Sequence, residues 1–182
     1  QRDKPIQVWG TAKSGDALAI SLAGASQTAR ADAAGRWSAS LPALSAGGPH
    51  SLSVRSSSGA TQAVQEVLIG DVWLCSGQSN MVLQVHRALD ARAEIANSTN
   101  DRIRMLTVPL ASSATPQKEF SGAVEWLKAA PHTAPNFSAA CLYFARELQS
   151  KIDVPMGLIT AVWGGWRIET WITEAALRAT GR

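Results

Sequence analysis

Ser79 stands in a short polar run, Ser76-Gly77-Gln78-Ser79-Asn80, directly after the apolar stretches Val67-Leu68-Ile69 and Val72-Trp73-Leu74-Cys75. The apolar part reads as a buried strand. The polar part reads as a tight turn at the strand's carboxyl end, where open α/β sheets gather their ligands. Gly77 lets the backbone turn sharply, so the Ser79 hydroxyl can be offered as a nucleophile. The same residues also suit a plain strand-to-helix connection with Ser79 as the helix N-cap. A nucleophilic serine further needs a base, a group that orients the base, and donors for the developing oxyanion. A glycine pair, Gly164-Gly165, can bring backbone N–H groups close to a ligand, although a plain turn asks for glycine equally. Three histidines are present. His50, beside Pro49, and His132, in a proline-rich loop, read as surface residues. His86 lies on the helix expected after Ser79 and can line the pocket, but it is not assigned as the base.

Two blocks of residues carry a family resemblance. One is GDVWLCSGQSNM at Gly70 to Met81; the other is VPMGLI at Val154 to Ile159, running into WGGWRIETW at Trp163 to Trp171. Together they resemble the sialate O-acetylesterase-like carbohydrate esterases of the SGNH hydrolase superfamily, whose blocks read like GDVWLCSGQSNM and VPVGLI…WGGTxIExW. The resemblance covers nearly the whole chain, including the β-rich start and the helix FSAACLYFARELQ between the blocks.

The resemblance implies a three-layer α/β/α SGNH-hydrolase domain, of which this chain holds the first part, preceded by a small β-sandwich segment. It implies Ser79 as the catalytic nucleophile, with its own N–H and that of Gly164 or Gly165 as oxyanion donors. Gln78 stands where the wider superfamily has the Asp of its GDS motif. Gln78 and Asn80 are expected around the nucleophile loop as substrate-binding residues. Trp166 replaces the threonine common in relatives; it is expected either to add a sugar-stacking wall or only to pack. Glu169 and Trp171 match IExW and are expected to anchor the loop. Asp71 is expected to be a strand-entry residue. The implied substrate is an O-acetylated carbohydrate, on sialic acid or plant-wall hemicellulose, cleaved through an acetyl-serine. A non-catalytic sugar-binding protein on the same scaffold, or another SGNH ester hydrolase, are the alternatives.

In such enzymes the base is a histidine in a late Asp-x-x-His block, and a third block supplies an oxyanion Asn. Neither block is in these residues. The chain is therefore expected to be an N-terminal portion, ending at Gly181-Arg182 as a trypsin-like cut would leave it. A C-terminal chain of the same protein would supply the catalytic His and Asp and the oxyanion Asn.

Composition sets wider bounds. The chain has 182 residues, 46% of them hydrophobic and 17% charged, with a net charge of +3. The basic residues are scattered, so no nucleic-acid stripe forms. No apolar stretch is long enough to span a membrane. Neither a Cys pair nor a paired-His motif marks a metal site, no phosphate-cradling glycine loop appears, and no cofactor is expected. Seven tryptophans against one tyrosine suit both core packing and sugar stacking. The opening on Gln1 is consistent with a mature exported form or a truncated start, and a periplasmic or secreted location is expected. Cys75 and Cys141 sit inside apolar runs and read as buried free thiols packing as small hydrophobes. A disulfide between them would need export and a Cα separation that sequence does not give.

Residues 1–66 read as an all-β segment, with Ile6 to Gly10, Leu18/Ile20/Leu22 and Leu52/Val54 in strands and Gly24 to Gly35 as a hairpin-like connection. Residues 67–182 read as α/β. A helix is expected over Met81–Asn97, a strand over Ile103–Val108, and loops over 109–136 with Trp126 as an ordered point. A helix over Ala139–Lys151 capped by Asn136 or Ser138, a buried strand over Gly157–Val162, and a last helix from about Thr173 complete the expectation.

Overall fold

A computed structural model of the chain describes residues 1–113 and 115–181, so Arg182 lies outside the described residues. Two compact units divide the chain: Gln1–Asp71 with Asp153–Pro155, and Val72–Ile152 with Met156–Arg182.

The first unit is built from six strands: β1 (Ile6–Thr11), β2 (Ala17–Leu22), β3 (Ala25–Arg30), β4 (Arg36–Leu41), β5 (Gly47–Ser56) and β6 (Thr61–Ile69). All pair antiparallel, as a two-stranded sheet β1-β4 and a four-stranded sheet β3-β2-β5-β6. The period-2 pattern explains the core. Leu18, Ile20 and Leu22 of β2 and Trp37, Ala39 and Leu41 of β4 are buried, while their neighbours in sequence are exposed. Together with Ala31 and Ile69 they form one apolar cluster shared by the two sheets. The connection expected between Gly24 and Gly35 holds a strand of its own, β3. Gly24 (φ +83°) opens β3 and Gly35 (φ +77°) leads into β4, each in the left-handed region that glycine tolerates. Asp71 closes the unit: its carboxylate accepts both Arg2 Nε–H (2.8 Å) and Nη2–H (3.1 Å).

The second unit carries a four-stranded sheet of order β7-β10-β8-β9, from β7 (Asp71–Gly77), β8 (Asn100–Thr107), β9 (Leu127–Ala129) and β10 (Met156–Val162). β8 and β10 run parallel, Ile103 opposite Met156, and β8 and β9 antiparallel. A parallel pair needs a crossover, and α3 (Ala139–Lys151) lies in it. Ser138 caps α3 by accepting from Cys141 N–H at 3.4 Å. Ala139, Cys141, Leu142 and Ala145 bury one stripe of the helix.

Three expectations are corrected. The stretch from Val67 to Cys75 is not one buried strand. It is cut at Gly70, where a Cβ would stand 2.0 Å from the Pro155 carbonyl, and β6 and β7 join different sheets. Being the edge strand, β7 leaves Val72, Trp73 and Leu74 exposed at 37%, 38% and 68%.

Cys75 and Cys141 are not free thiols but a disulfide with Cα atoms 6.0 Å apart, tying β7 to α3. Both ends are buried, which is why each read as a small hydrophobe.

The helix expected over Met81–Asn97 is three pieces: α1 (Ser79–Val82), a 3-10 turn at Val85–Arg87 and α2 (Ala91–Ala96). Leu83 leaves helical geometry, Gln84 bridges to Ser138, and Asp90 takes a left-handed conformation (φ 55°). With Leu89 exposed and only Val85 buried in Ser79–Asp90, no apolar stripe runs long enough to hold one helix there. The short β9 inside the proline-rich stretch escaped the sequence pattern. The last helix, α4 (Glu174–Ala179), starts after Thr173, whose hydroxyl accepts from Ala176 N–H.

Candidate active site

β7 delivers the loop that carries Ser79. Gly77 ends the strand at φ +138°, and a Cβ there would meet Met81 Cγ at 2.9 Å. Both facts demand glycine, because an L-side chain would be strained and would collide with the turn that follows. The chain then enters α1 with Gln78 at the N-cap; its carbonyl accepts from Met81 and Val82 N–H at 2.9 and 3.0 Å. Ser79 is the first helical residue, not the cap. Its side chain is exposed and, among the described residues, makes no hydrogen bond. The capping role considered for Ser79 is thus absent, and the hydroxyl is left available to a ligand.

The second block comes to the same place along β10. Trp163 N–H donates to the Gly77 carbonyl at 3.1 Å. The next residue, Gly164, faces the serine: a Cβ built on it would stand 3.9 Å from Ser79 Oγ and 4.0 Å from Ser79 Cα. Gly165 has no atom within 4 Å of its Cβ position and takes φ +81°. The two glycines differ in kind: Gly164 approaches Ser79, whereas Gly165 turns the chain. Sequence could not separate them, since close approach and left-handed backbone both select glycine.

Trp166 is exposed and stacks edge-to-face with Trp163, ring centroids 5.0 Å apart. Gln78 and Asn80 are exposed on the loop, and no side-chain hydrogen bond holds either among the described residues. Glu169 and Trp171 lie in a 3-10 turn at Ile168–Trp171, with Ile172 N–H bonded to the Glu169 carbonyl at 3.3 Å.

Among the described residues no histidine hydrogen-bonds to Ser79. His86 Nδ1–H donates to the Pro135 carbonyl at 2.8 Å, which turns the ring towards that loop. His132 is exposed, and His50, expected at the surface, is half-buried within β5. Among the described residues no group of three or more His, Cys, Asp or Glu could hold a metal. No helix among them is long and apolar enough to cross a membrane.

The feature missed from sequence is the disulfide on the strand that leads to Ser79. Cys75, on the strand that delivers Ser79, is locked to α3. An even cysteine count was the only signal, and it does not separate a bridge from two thiols.

No family model matches the chain. Curated relatives do. The chain is 30% identical to the sialate O-acetylesterases of Rattus norvegicus and Homo sapiens, over 96% of its own length. Among solved structures it superposes on a carbohydrate acetylesterase from Xanthomonas citri with a TM-score of 0.91 and 40% identity, over 97% of the chain and 40% of that protein. The chain spans 35% and 36% of the length of the two curated relatives. Its mixed α/β fold is thus that of a carbohydrate acetylesterase over these residues. In sequence and in fold the chain is similar, over nearly its whole length, to about a third of the sialate O-acetylesterases and to 40% of the carbohydrate acetylesterase it superposes on.

Proposed function

We propose that these residues are the N-terminal portion of a serine esterase that removes O-acetyl groups from carbohydrates. The observation that carries the reading is the approach of Gly164 to Ser79. Two motif blocks far apart in sequence meet at one exposed hydroxyl, with a glycine where a side chain would crowd an incoming acyl group.

Ser79 Oγ attacks the acetyl carbonyl while a histidine from outside residues 1–182 takes its proton. The oxyanion is held by the N–H groups of Ser79 and Gly164. Gly165 serves the turn and is set aside as a donor. The sugar alcohol leaves with a proton, and water then hydrolyses the acetyl-serine. Removing one such oxyanion donor typically lowers turnover about 100- to 1,000-fold. Gln78 and Asn80 flank the nucleophile with unengaged side chains and would meet the substrate. The Trp163–Trp166 pair supports an aromatic wall at the same edge, suited to the apolar face of a sugar ring. The relatives' names favour sialic acid or another O-acetylated saccharide, such as plant-wall hemicellulose, as the carrier of the acetyl group.

The first 66 residues are assigned as a β-sandwich and residues 67–182 as the first part of a three-layer SGNH domain. Two antiparallel sheets sharing one core support the former, and the parallel β8–β10 pair the latter. The remainder of the protein, as a C-terminal chain, would bring the catalytic His and Asp and the oxyanion Asn. The one-third coverage of the relatives and the exposed apolar edge of β7 support this. The disulfide supports a periplasmic or secreted location, since such bridges persist in oxidising compartments.

The test is acetate release from O-acetylated sialic acid and acetylated xylo-oligosaccharides by the full-length protein and its Ser79→Ala variant. Release that vanishes with Ser79 supports the reading. Release that survives in Ser79→Ala overturns the assignment of the nucleophile.

A further inference from the structure

The two sheets of the first unit do not match. β1-β4 has two strands, and the sheet it covers has four. The apolar inner face is consequently roofed over β2 but open over β5 and β6. A groove of about 760 Å³ runs there, walled by Val8 of β1, Leu52 and Val54 of β5 and Val64 of β6, with Leu18 and Trp37 beneath. Val64 is 53% exposed. Among the described residues β1 pairs only with β4, so its other edge offers unpaired N–H and C=O groups.

We infer that this groove is the seat of a β-strand from polypeptide outside residues 1–182 of the same protein, added to the free edge of β1. The inference rests on the reading above that further polypeptide completes the enzyme, and adds that this polypeptide returns to the N-terminal unit.

Three observations select the occupant. The free ladder of β1 asks for a backbone, which a sugar lacks. The floor and walls named are apolar, and the hydroxyls at one end, Ser56 and Ser58, already donate to the buried Asp16 carboxylate rather than facing a ligand. The chain spans only 35% of its curated relatives, and on the reading above the remainder of the same protein is at hand. Held in the same protein, that strand has a higher effective concentration at the groove than a second copy has at ordinary concentrations. A strand laid beside β1 with alternate apolar residues inward would cover Val8, Leu52, Val54 and Val64 together.

The experiment places a photo-crosslinking benzophenone residue at Val64, and separately at Leu74 on β7, in the full-length protein. Crosslinked peptides are then mapped by mass spectrometry. The expected result is capture at Val64 of a peptide outside residues 1–182 within the same molecule. Capture only of residues within 1–182, capture of a second copy, or no capture at Val64 while Leu74 captures outside polypeptide overturns this inference alone. Failure at both positions removes the reading it rests on as well. As an independent check, Val64→Asp in the full-length protein should lower Tm by about 5 °C or more, through a buried unpaired charge. Ala63→Asp, on the opposite face of β6, should leave Tm nearly unchanged. Equal, small shifts for the two would also overturn the inference.

Discussion

β2 and β7 are both apolar strands, and the structure treats them oppositely. In β2 the apolar residues alternate with small or polar ones, and Leu18, Ile20 and Leu22 are 3%, 1% and 2% exposed. In β7 they are consecutive, and Val72, Trp73 and Leu74 remain open to solvent. Alternation specifies a strand with one face covered; a continuous apolar run specifies a strand covered on both. β2 has found what its pattern asks for. β7 is an edge strand with one neighbour among the described residues, and it is also the strand that leads into Ser79. The contrast separates a strand whose apolar face these residues cover from one whose apolar side chains they leave exposed.

The comparison can be broken by mutation in the full-length protein. Ile20→Ala should cost about 2–5 kcal/mol of stability through a cavity in the shared core. Leu74→Ala should cost a similar amount if further polypeptide buries it, against a few tenths of a kcal/mol if it stays in solvent. Chemical denaturation of the two variants side by side decides this, and a near-zero effect for Leu74→Ala would erase the distinction drawn between the strands.

The disulfide is the next largest effect. Cys75→Ser with Cys141→Ser should cost about 2–5 kcal/mol, since the bridge closes a long loop between residues 66 apart in sequence. Melting with and without reductant reads it. A Tm insensitive to reductant would remove the bridge as the strut of β7.

The two glycines at the second block sharpen the account further. Gly164→Ala adds a methyl at ordinary contact distance from Ser79 Oγ, so folding should tolerate it. Turnover should fall at least about 10-fold, because the methyl stands where the acyl oxygen must enter. Gly165→Ala meets nothing but is forced into left-handed backbone, so it should cost about 1–2 kcal/mol of stability with little change in chemistry. The reverse pattern would exchange their roles.

The smallest effect lies in the first unit. Asp16 is held below its ordinary value of 3.8, first by the Ser56 hydroxyl, then by that of Ser58. A carboxylate with a lowered folded pKa stabilises above its unfolded value and loses that contribution as pH falls through the folded one. Asp16→Ala should therefore be less stable than the parent at pH 7, with the gap narrowing below pH 3.8. A gap that widens in acid would contradict the hydrogen-bond assignment.

Much of this was legible in the residues. The period-2 strands of the first unit and the α3 stripe from Ala139 follow from patterns that local physics enforces. What was not legible has physical reasons. Gly70 splits the apolar run because Pro155, distant in sequence, occupies the space of its Cβ. The segment after Ser79 contains good helix formers, yet tertiary contacts at Gln84 and the backbone at Asp90 break it. Gly164 and Gly165 look alike until one is seen to face Ser79. The disulfide depends on a Cα separation that only the fold supplies.

The central claim, that Ser79 is the activated nucleophile, is tested most directly by covalent capture. A phosphonylating ester probe, which bonds to an activated serine, would be applied to the full-length protein and the labelled peptide mapped by mass spectrometry. The account predicts one label, on Ser79, that Ser79→Ala abolishes together with acetate release. A label on another serine, or an active protein that leaves Ser79 unlabelled, would contradict it.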